Sequence, residues 1–311
     1  MPDRERIALI FINWRTGALT VSAARSARAS SAQPERLRLI VVDNGSGDDS
    51  LAIIARDLPD AEIVALPTNL GFAKAANAGL ARVREERFAF ILNTDIEFRN
   101  DALALLEAAL EADPKAVLAC PKLLRPDGSL QPAAVPEPRL FWELTNRSLP
   151  RYLMPRLGER TQPVPCIVGP CMALHLARAR ACVGFLDERF FFFMEETDWC
   201  KRIRAAGQHV LLVPGAEVMH MQGESANRRP TRARVQFYSS RYRYFRKHGG
   251  PVVLALLFAG LWFRLTVALL LYALAVVLSL GRARSRDKLA VCGRLWLWHL
   301  LLCRPKWGFE P

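Results

Sequence analysis

From Ile7 to Leu123, short runs of β-branched and apolar residues alternate with stretches of helical composition. No other feature of the chain restricts its architecture as strongly. The runs fall at Ile7 to Trp14, Leu37 to Asp43, Glu62 to Leu66, Phe88 to Asn93 and Val117 to Leu123. Helices are predicted near Gly17 to Ala29, Asp48 to Leu58, Gly71 to Arg84 and Asp101 to Ala112. A parallel neighbour can be reached only by a crossover, so this spacing defines βαβ units. The expected class is α/β, a mostly parallel sheet flanked by helices. In such sheets ligands sit outside the carboxyl ends of the strands. That rule singles out Asn13, Asp43 to Ser46, and Asn93 to Asp95.

From Arg125 to Pro165 eight prolines and no sustained period indicate a long loop with short helices, and loops of that length inside a domain usually serve function. Beyond it, CIVGPCMALH reads as a strand, followed by a short helix near Ala177 and the run Phe190 to Met194. A helix from about Glu196 to Ala206 and strands His209 to Val213 and Glu217 to His220 complete the pattern.

Charge separates the body from the tail. Of the formal +13, residues 1–224 contribute almost nothing, with 27 Lys/Arg against 28 Asp/Glu. Residues 225–288 hold 13 Lys/Arg and one acid, Asp287, around the most apolar part of the chain. A membrane surface accounts for that placement better than nucleic acid does. The seven cysteines are odd in number and include no C-x-x-C, so they read as reduced, mostly buried thiols. The start, Met1 to Arg6, is charged and runs straight into a strand-like segment, which implies no export.

Several motifs carry chemistry. Val41-Val42-Asp43-Asn44-Gly45-Ser46 puts a carboxylate at a strand end, where it can accept the imide proton of uracil or thymine. The same letters also suit a plain turn followed by a helix cap. In Asn69-Leu70-Gly71-Phe72-Ala73-Lys74-Ala75-Ala76-Asn77, Gly71 opens a helix whose first amides can face a phosphate, although ordinary capping produces the same pattern. Asn93-Thr94-Asp95 places two oxygen-bearing side chains at a strand end, where both can face one hard cation or simply form a polar turn. Asn13, Asp43, Asn69, Gly71, Asn77 and Asn93 are the candidate donor contacts. Glu195-Glu196-Thr197-Asp198 packs three acids behind four phenylalanines, where burial should raise at least one pKa, as a general base requires. Some of these acids would also supply the negative first turn of the next helix. His220 ends the last strand, where a lone histidine is more often structural than a ligand.

Taken together, VVDNGS, NLGFAKAAN, LNTD, GPCMAL, GFLDERFFFFMEETDWCKRIRAAG and EVMH resemble, in order and spacing, the inverting family 2 glycosyltransferases of the GT-A fold. Within them the match is to the bacterial rhamnosyltransferase-like group, over about residues 5–248. The resemblance implies that Asp43 contacts the donor base, that Asp95 and His220 hold Mg2+ or Mn2+, and that Glu196 deprotonates the acceptor hydroxyl. Asp198 would support the geometry through a partner between Lys201 and Arg204. Two positions depart from the wider family pattern: Asn93 stands where the metal motif usually begins with Asp, and Glu196 where the base is usually Asp. The reaction implied is a single in-line displacement with inversion. The implied donor is a nucleoside-diphosphate sugar, rhamnose from dTDP or a UDP-sugar, and the acceptor a polyprenyl-diphosphate-linked saccharide for a bacterial surface polysaccharide.

The carboxyl-terminal third points to lipid. Eight basic residues between Arg228 and Lys247 are interleaved with five aromatic ones, a mixture that suits a headgroup layer and also single-stranded nucleic acid. Val252 to Leu280 then runs 29 residues with Arg264, Thr266 and Ser279 as its clearly polar side chains. That exceeds the ~20 residues a spanning helix needs. Basic residues flank it on both sides, so charge gives no preferred single crossing, and an in-plane or re-entrant helix competes with a span, Arg264 snorkelling to the headgroups. Leu289 to Cys303 is expected to form an amphipathic helix on the surface. The predicted organisation is a catalytic domain over 1–227, a basic aromatic juxtamembrane helix over 228–250 and membrane-associated helices over 251–311. Localisation at the cytoplasmic face of the plasma membrane and contact with membrane lipids follow, with no nucleic-acid partner. A non-enzymatic basic membrane- or nucleic-acid-binding protein is the rival from another class. Since all six blocks precede Gly250, removal of 251–311 is expected to leave the body folded.

Overall fold

The computed structural model describes residues 6–145, 158–221, 230–280, 282–303 and 307–309. The charged start before Arg6, the prolines at 150 and 155, and Arg228 and Arg229 lie outside the described residues. The chain divides into two compact units. One comprises Met1–Glu137, Tyr152–Glu188 and Glu195–Gln222, and the other Pro138–Arg151, Arg189–Met194 and Gly223–Pro311.

The first unit begins β1 (Ile7–Asn13), α1 (Gly17–Ser30), β2 (Leu37–Asp43), α2 (Ser50–Asp57), β3 (Glu62–Ala65), α3 (Phe72–Leu80) and β4 (Phe88–Leu92). These strands are continuous apolar runs because helices cover both faces of the sheet. β1 is buried along nearly its whole length and pairs in parallel with β2 and β4. Its register sets Asn13 beside Asp43 at the carboxyl edge. There follow β5 (Ile96–Phe98), α4 (Ala102–Ala112), β6 (Ala116–Leu124), β7 (Leu130–Gln131) and β8 (Ala134–Val135). After the short helix α5 (Leu140–Thr145), which belongs to the second unit, come β9 (Gln162–Pro163), β10 (Cys166–Ile167), β11 (Cys171–His175), α6 (Leu176–Cys182), α7 (Glu195–Ala205) and β12 (His209–His220). The sheet runs β3-β2-β1-β4-β11-β6-β12-β5, with β11 and β5 antiparallel to the other strands on this path. It is the mixed, mostly parallel sheet the alternation foretold.

Local departures have local causes. CIVGPCMALH is not one strand: Gly169-Pro170 interrupts it, since proline cannot donate to a ladder, and β10 pairs instead with β8 while β11 joins the main sheet. Conversely, β12 is one strand where two were expected, with a register shift between Val213 and Glu217 that absorbs Pro214-Gly215. The predicted helix from Gly71 to Arg84 stops at Leu80. β5 was not foreseen. It lies antiparallel to β12 with Ile96 opposite His220.

In the second unit a helix, α8, runs Pro230–Leu278 with a kink at Gly250, where φ is 77°. Pro251 has no N–H to give and crowds the residue before it, which glycine tolerates in the left-handed region. α9 (Ala283–Leu300) returns along the apolar half of α8. Leu257 and Leu261 pack with Phe190, Met194, Tyr244 and Phe245, joined by Leu140 and Leu144 of α5. A Cβ on Gly260 would sit 2.2 Å from Leu144 Cδ2, so a larger residue there would require the Leu144 side chain to shift. One expectation is corrected here. Arg264 does not snorkel outward: Nη1 donates to the Glu143 carbonyl at 2.6 Å and Nη2 to the Tyr238 hydroxyl at 3.3 Å. Removal of 251–311 would take Leu257 and Leu261 from the cluster around Phe190 and Met194, which lead directly into Glu195, and leave Tyr244 and Phe245. The helix from Thr231 to Leu278 is long and apolar enough to cross a membrane by length and composition.

Candidate active site

At the carboxyl edge of β1 and β2, Asn13 organises a buried polar cluster. Its Nδ2 donates to Asp43 Oδ1 at 2.6 Å and to Ser46 Oγ at 3.1 Å, while its Oδ1 accepts from the Thr16 hydroxyl at 3.0 Å and the Thr20 hydroxyl at 2.9 Å. Asp43 Oδ2 accepts the Ser46 amide at 3.1 Å and Oδ1 the Ser46 hydroxyl. These bonds orient the carboxylate, and they leave about one of its four lone-pair positions for a ligand. Asn13 itself is fully enclosed and therefore acts on Asp43 rather than as an open surface. Gly45 makes the turn possible: its φ is +67° and an added Cβ would meet the Thr68 carbonyl carbon at 2.3 Å. Asn44 bridges to the following loop through Asn69 Oδ1 at 3.1 Å and the Leu70 amide at 2.8 Å, and Asn69 Oδ1 also accepts the Gly71 amide at 3.0 Å. Gly71 then caps α3 with φ 89°. The Asn77 amide is committed elsewhere, donating to the Leu186 carbonyl at 2.9 Å and to Glu188 Oε1 at 3.0 Å.

A hydroxyl contact of 2.9 Å between Thr16 and Thr94 joins this cluster to the end of β4. Beside it, the Asn93 amide donates to the Pro170 carbonyl at 2.9 Å. Asp95 faces His220, with Oδ1 and Nε2 3.4 Å apart and both side chains largely buried. The pairing of β5 with β12 creates this meeting, reinforced by the Met221 amide on the Asp95 carbonyl at 2.9 Å. His220 Nδ1 is held from behind by the Gln131 amide, 3.0 Å from Nε2 and 3.2 Å from Oε1. By turning over, that amide serves either tautomer. With Oε1 accepting from Nδ1–H, the His220 Nε2 lone pair is presented to the Asp95 side, as a metal ligand must be. Among the described residues no group of three or more His, Cys, Asp or Glu converges in the manner of a self-sufficient metal site. One carboxylate and one imidazole do fit a cation of the Mg2+ or Mn2+ kind, which commonly takes its remaining ligands from phosphates and water.

α7 carries the acids in its first turn. Glu195 is buried, and burial together with the neighbouring Glu196 charge holds its carboxyl well above the usual range. Burial raises Glu196 to about 7. The Oε2 atoms of both are enclosed with no hydrogen-bond partner. Unpaired buried carboxylate oxygen is costly, and proton uptake is the available relief. The chain enters this helix through Phe193 and Met194, both at positive φ (68° and 70°), which ends the phenylalanine run abruptly. Asp198 differs from its neighbours: it is fully buried and accepts Arg202 Nε at 2.8 Å, while Arg202 also donates to the Val183 carbonyl at 2.8 Å and the Phe185 carbonyl at 2.6 Å. Asp198 therefore anchors the helix to the GFLDE turn.

Sequence reasoning passed over Thr16, Thr94 and Gln131. The first two are ordinary threonines in polar turns. Gln131 lies in the proline-rich stretch, and only the pairing of β7 with β6 brings it to His220.

The sheet order, the polar strand ends and the acid-led helix define a glycosyltransferase of the GT-A fold. The chain belongs to glycosyl transferase family 2, whose model matches residues 20–176, half of its length. It is similar to an N-acetylglucosaminyl-diphospho-decaprenol L-rhamnosyltransferase of Mycobacterium tuberculosis, at 28% identity over 246 residues, covering 72% of this chain and 80% of that protein. Two solved structures share the fold. TarS 1–349 of S. aureus in complex with UDP has a TM-score of 0.54 at 13% identity, over 91% of this chain and 89% of that one. A mannosyltransferase from Pyrobaculum calidifontis, in complex with GDP-Man and Mn2+, has a TM-score of 0.53 at 15% identity, over 94% of this chain and 87% of that one.

Proposed function

We propose that this glycosyltransferase moves rhamnose from dTDP-rhamnose, with inversion, onto a polyprenyl-diphosphate-linked saccharide at the cytoplasmic face of the membrane. One observation carries the reading: the hydrogen-bonded chain Asp43–Asn13–Thr16–Thr94 runs from a pyrimidine-type carboxylate to the position next to the Asp95–His220 pair. On this reading base recognition and diphosphate binding share one frame. The lipid-linked acceptor and the rhamnose are supported by the similarity to the mycobacterial rhamnosyltransferase.

In this mechanism Asp43 accepts the imide N–H of the thymine. Asp95 and His220 would hold Mg2+ or Mn2+, which when bound neutralises charge on the departing diphosphate. Glu196, about half ionised near pH 7, takes the proton of the acceptor hydroxyl as the acceptor oxygen bonds to the anomeric carbon and the bond to the diphosphate oxygen breaks. Burial and the Glu196 charge both favour the neutral form of Glu195. Asp198 and Arg202 fix the helix that presents Glu196.

The test is a transfer assay with the purified full chain, a polyprenyl-diphosphate GlcNAc acceptor, and dTDP-rhamnose or a panel of UDP-sugars, with and without chelator. Metal-dependent transfer from dTDP-rhamnose, with the anomeric configuration inverted by NMR, is expected. A UDP-sugar would meet Asp43 through the same imide face, so exclusive use of a UDP donor would overturn the choice of rhamnose, and undiminished turnover in chelator the role given to Asp95 and His220.

A further inference from the structure

The apolar half of α8 is amphipathic in an unusual sense: one stripe faces its own chain and the other is apolar but exposed. Leu257, Leu261 and Leu265, spaced four apart, are buried. On the far side Leu256, Phe263, Val267, Leu270, Leu274 and Val277 follow the same helical spacing and are exposed, Phe263 at 72% and Val277 at 71%. An exposed apolar stripe of this length requires an occupant.

The return helix α9 decides the orientation of that stripe. Lys288 Nζ lies 6.0 Å from the Tyr272 ring, Cys292 Sγ 3.6 Å from the Leu265 carbonyl, and Trp296 Nε1 donates to Thr266 Oγ1 at 2.9 Å. The two helices therefore form an antiparallel hairpin turning near Ser279 to Arg282. Within its 18 residues α9 contains Arg284, Arg286, Asp287, Lys288 and Arg294. Exposed Arg294 falls between the Cys292 and Trp296 contacts, level with the middle of the 252–280 apolar run. If that run crossed a bilayer, Arg294 would face the hydrocarbon midplane, and the basic turn Arg282 to Lys288 would be carried to the far side. Both outcomes are unfavourable.

We propose that the hairpin lies in the plane of one leaflet of an anionic bilayer and does not span it. The exposed stripe of α8 enters the acyl region, with Leu297 and Leu300 of α9 beside it at the boundary. The exposed cations Arg246, Arg282, Arg286, Lys288 and Arg294 ring it at headgroup level, where anionic lipid is their complement. This rests on the membrane attachment proposed above and specifies its geometry.

The test uses the full chain with Cys182 and Cys303 changed to Ser, in inner-membrane vesicles of both orientations. A membrane-impermeant maleimide reports on Arg282→Cys at the turn and, separately, on Lys115→Cys in the catalytic unit. In-plane attachment requires both cysteines to label in vesicles of the same orientation. Labelling of Arg282→Cys from the opposite face shows a span, and protection from both faces shows a re-entrant turn; either overturns the proposal. Failure of the attachment itself is distinguishable. In that event the whole protein leaves the vesicles in a high-salt carbonate wash, and a soluble dimer by light scattering would assign the stripe to a second copy.

Discussion

Glu196→Gln should act on turnover and on stability in opposite directions. The carboxyl of Glu196 moves from 4.5 to about 7 on folding because burial disfavours its charge. A carboxyl whose folded pKa is raised costs the native state nothing below the unfolded value, where it is protonated in both states. The cost grows as pH rises from 4.5 and levels off above about 7. At ~1.4 kcal/mol per pH unit the full cost is about 3 kcal/mol. Glutamine fills the same space and never ionises. Compared by denaturant titration in detergent, wild type and variant should have similar stability at pH 4.5, and the variant should gain about 3 kcal/mol by pH 8. Turnover should fall by roughly 10² to 10⁴, the usual worth of a placed base. In wild type, kcat/KM should rise with pH through an inflection near 7 and flatten above it. A stability difference that does not change between pH 4.5 and 8 would refute the burial argument. Near-normal turnover in Glu196→Gln would refute the assignment of the base.

Glu195→Gln should leave the inflection near 7 in place, because burial rather than the Glu195 charge raises Glu196; a drop toward 4.5 would show that the Glu195 charge sets it. Gln131→Leu should raise the Mn2+ concentration for half-maximal activity roughly 10- to 100-fold, as loss of an outer partner of a metal-binding histidine does, with Gln131→Asn tested for partial rescue. Gly45→Ala should abolish dTDP binding by calorimetry or prevent folding outright, since the new methyl collides with Thr68 backbone in a left-handed turn. Leu261→Ala should cost about 2–5 kcal/mol in chemical denaturation, the usual loss for a fully enclosed leucine; a negligible change would mean that the stripe is not core.

The sheet was readable because strands enclosed on two faces must be apolar throughout, and the crossover helices between them must be long. The Asp43 end was readable for the same reason: a carboxylate closing such a strand has few places to go. What escaped notice depended on distant pairing. Nothing near Asp95 signals that Ile96 to Phe98 will form a strand against β12, yet that pairing sets His220 opposite it. Gln131 is similarly invisible, lying in a two-residue strand within a proline-rich stretch. Asn77 stood out as a donor contact because it belongs to a motif, while its amide ties α3 to the GFLDE turn. Arg264 looked like a cation escaping hydrocarbon, because a sequence does not show that Glu143 and Tyr238 lie within its reach.

The second unit is assembled from three pieces of chain, and the order in which they are made has a cost for the living cell. Residues 138–151 and the phenylalanines up to Met194 are synthesised long before the helices that bury Phe190 and Met194. Leu261, the last residue of the cluster that buries them, lies 67 residues after Met194. At 5–20 residues per second the ribosome needs roughly 3–13 s to reach it. Throughout that interval the nascent chain carries an aromatic segment directly ahead of Glu195 and Glu196 without its α8 partners. A polypeptide halted before Leu257 would lack the two leucines of α8 that complete this cluster.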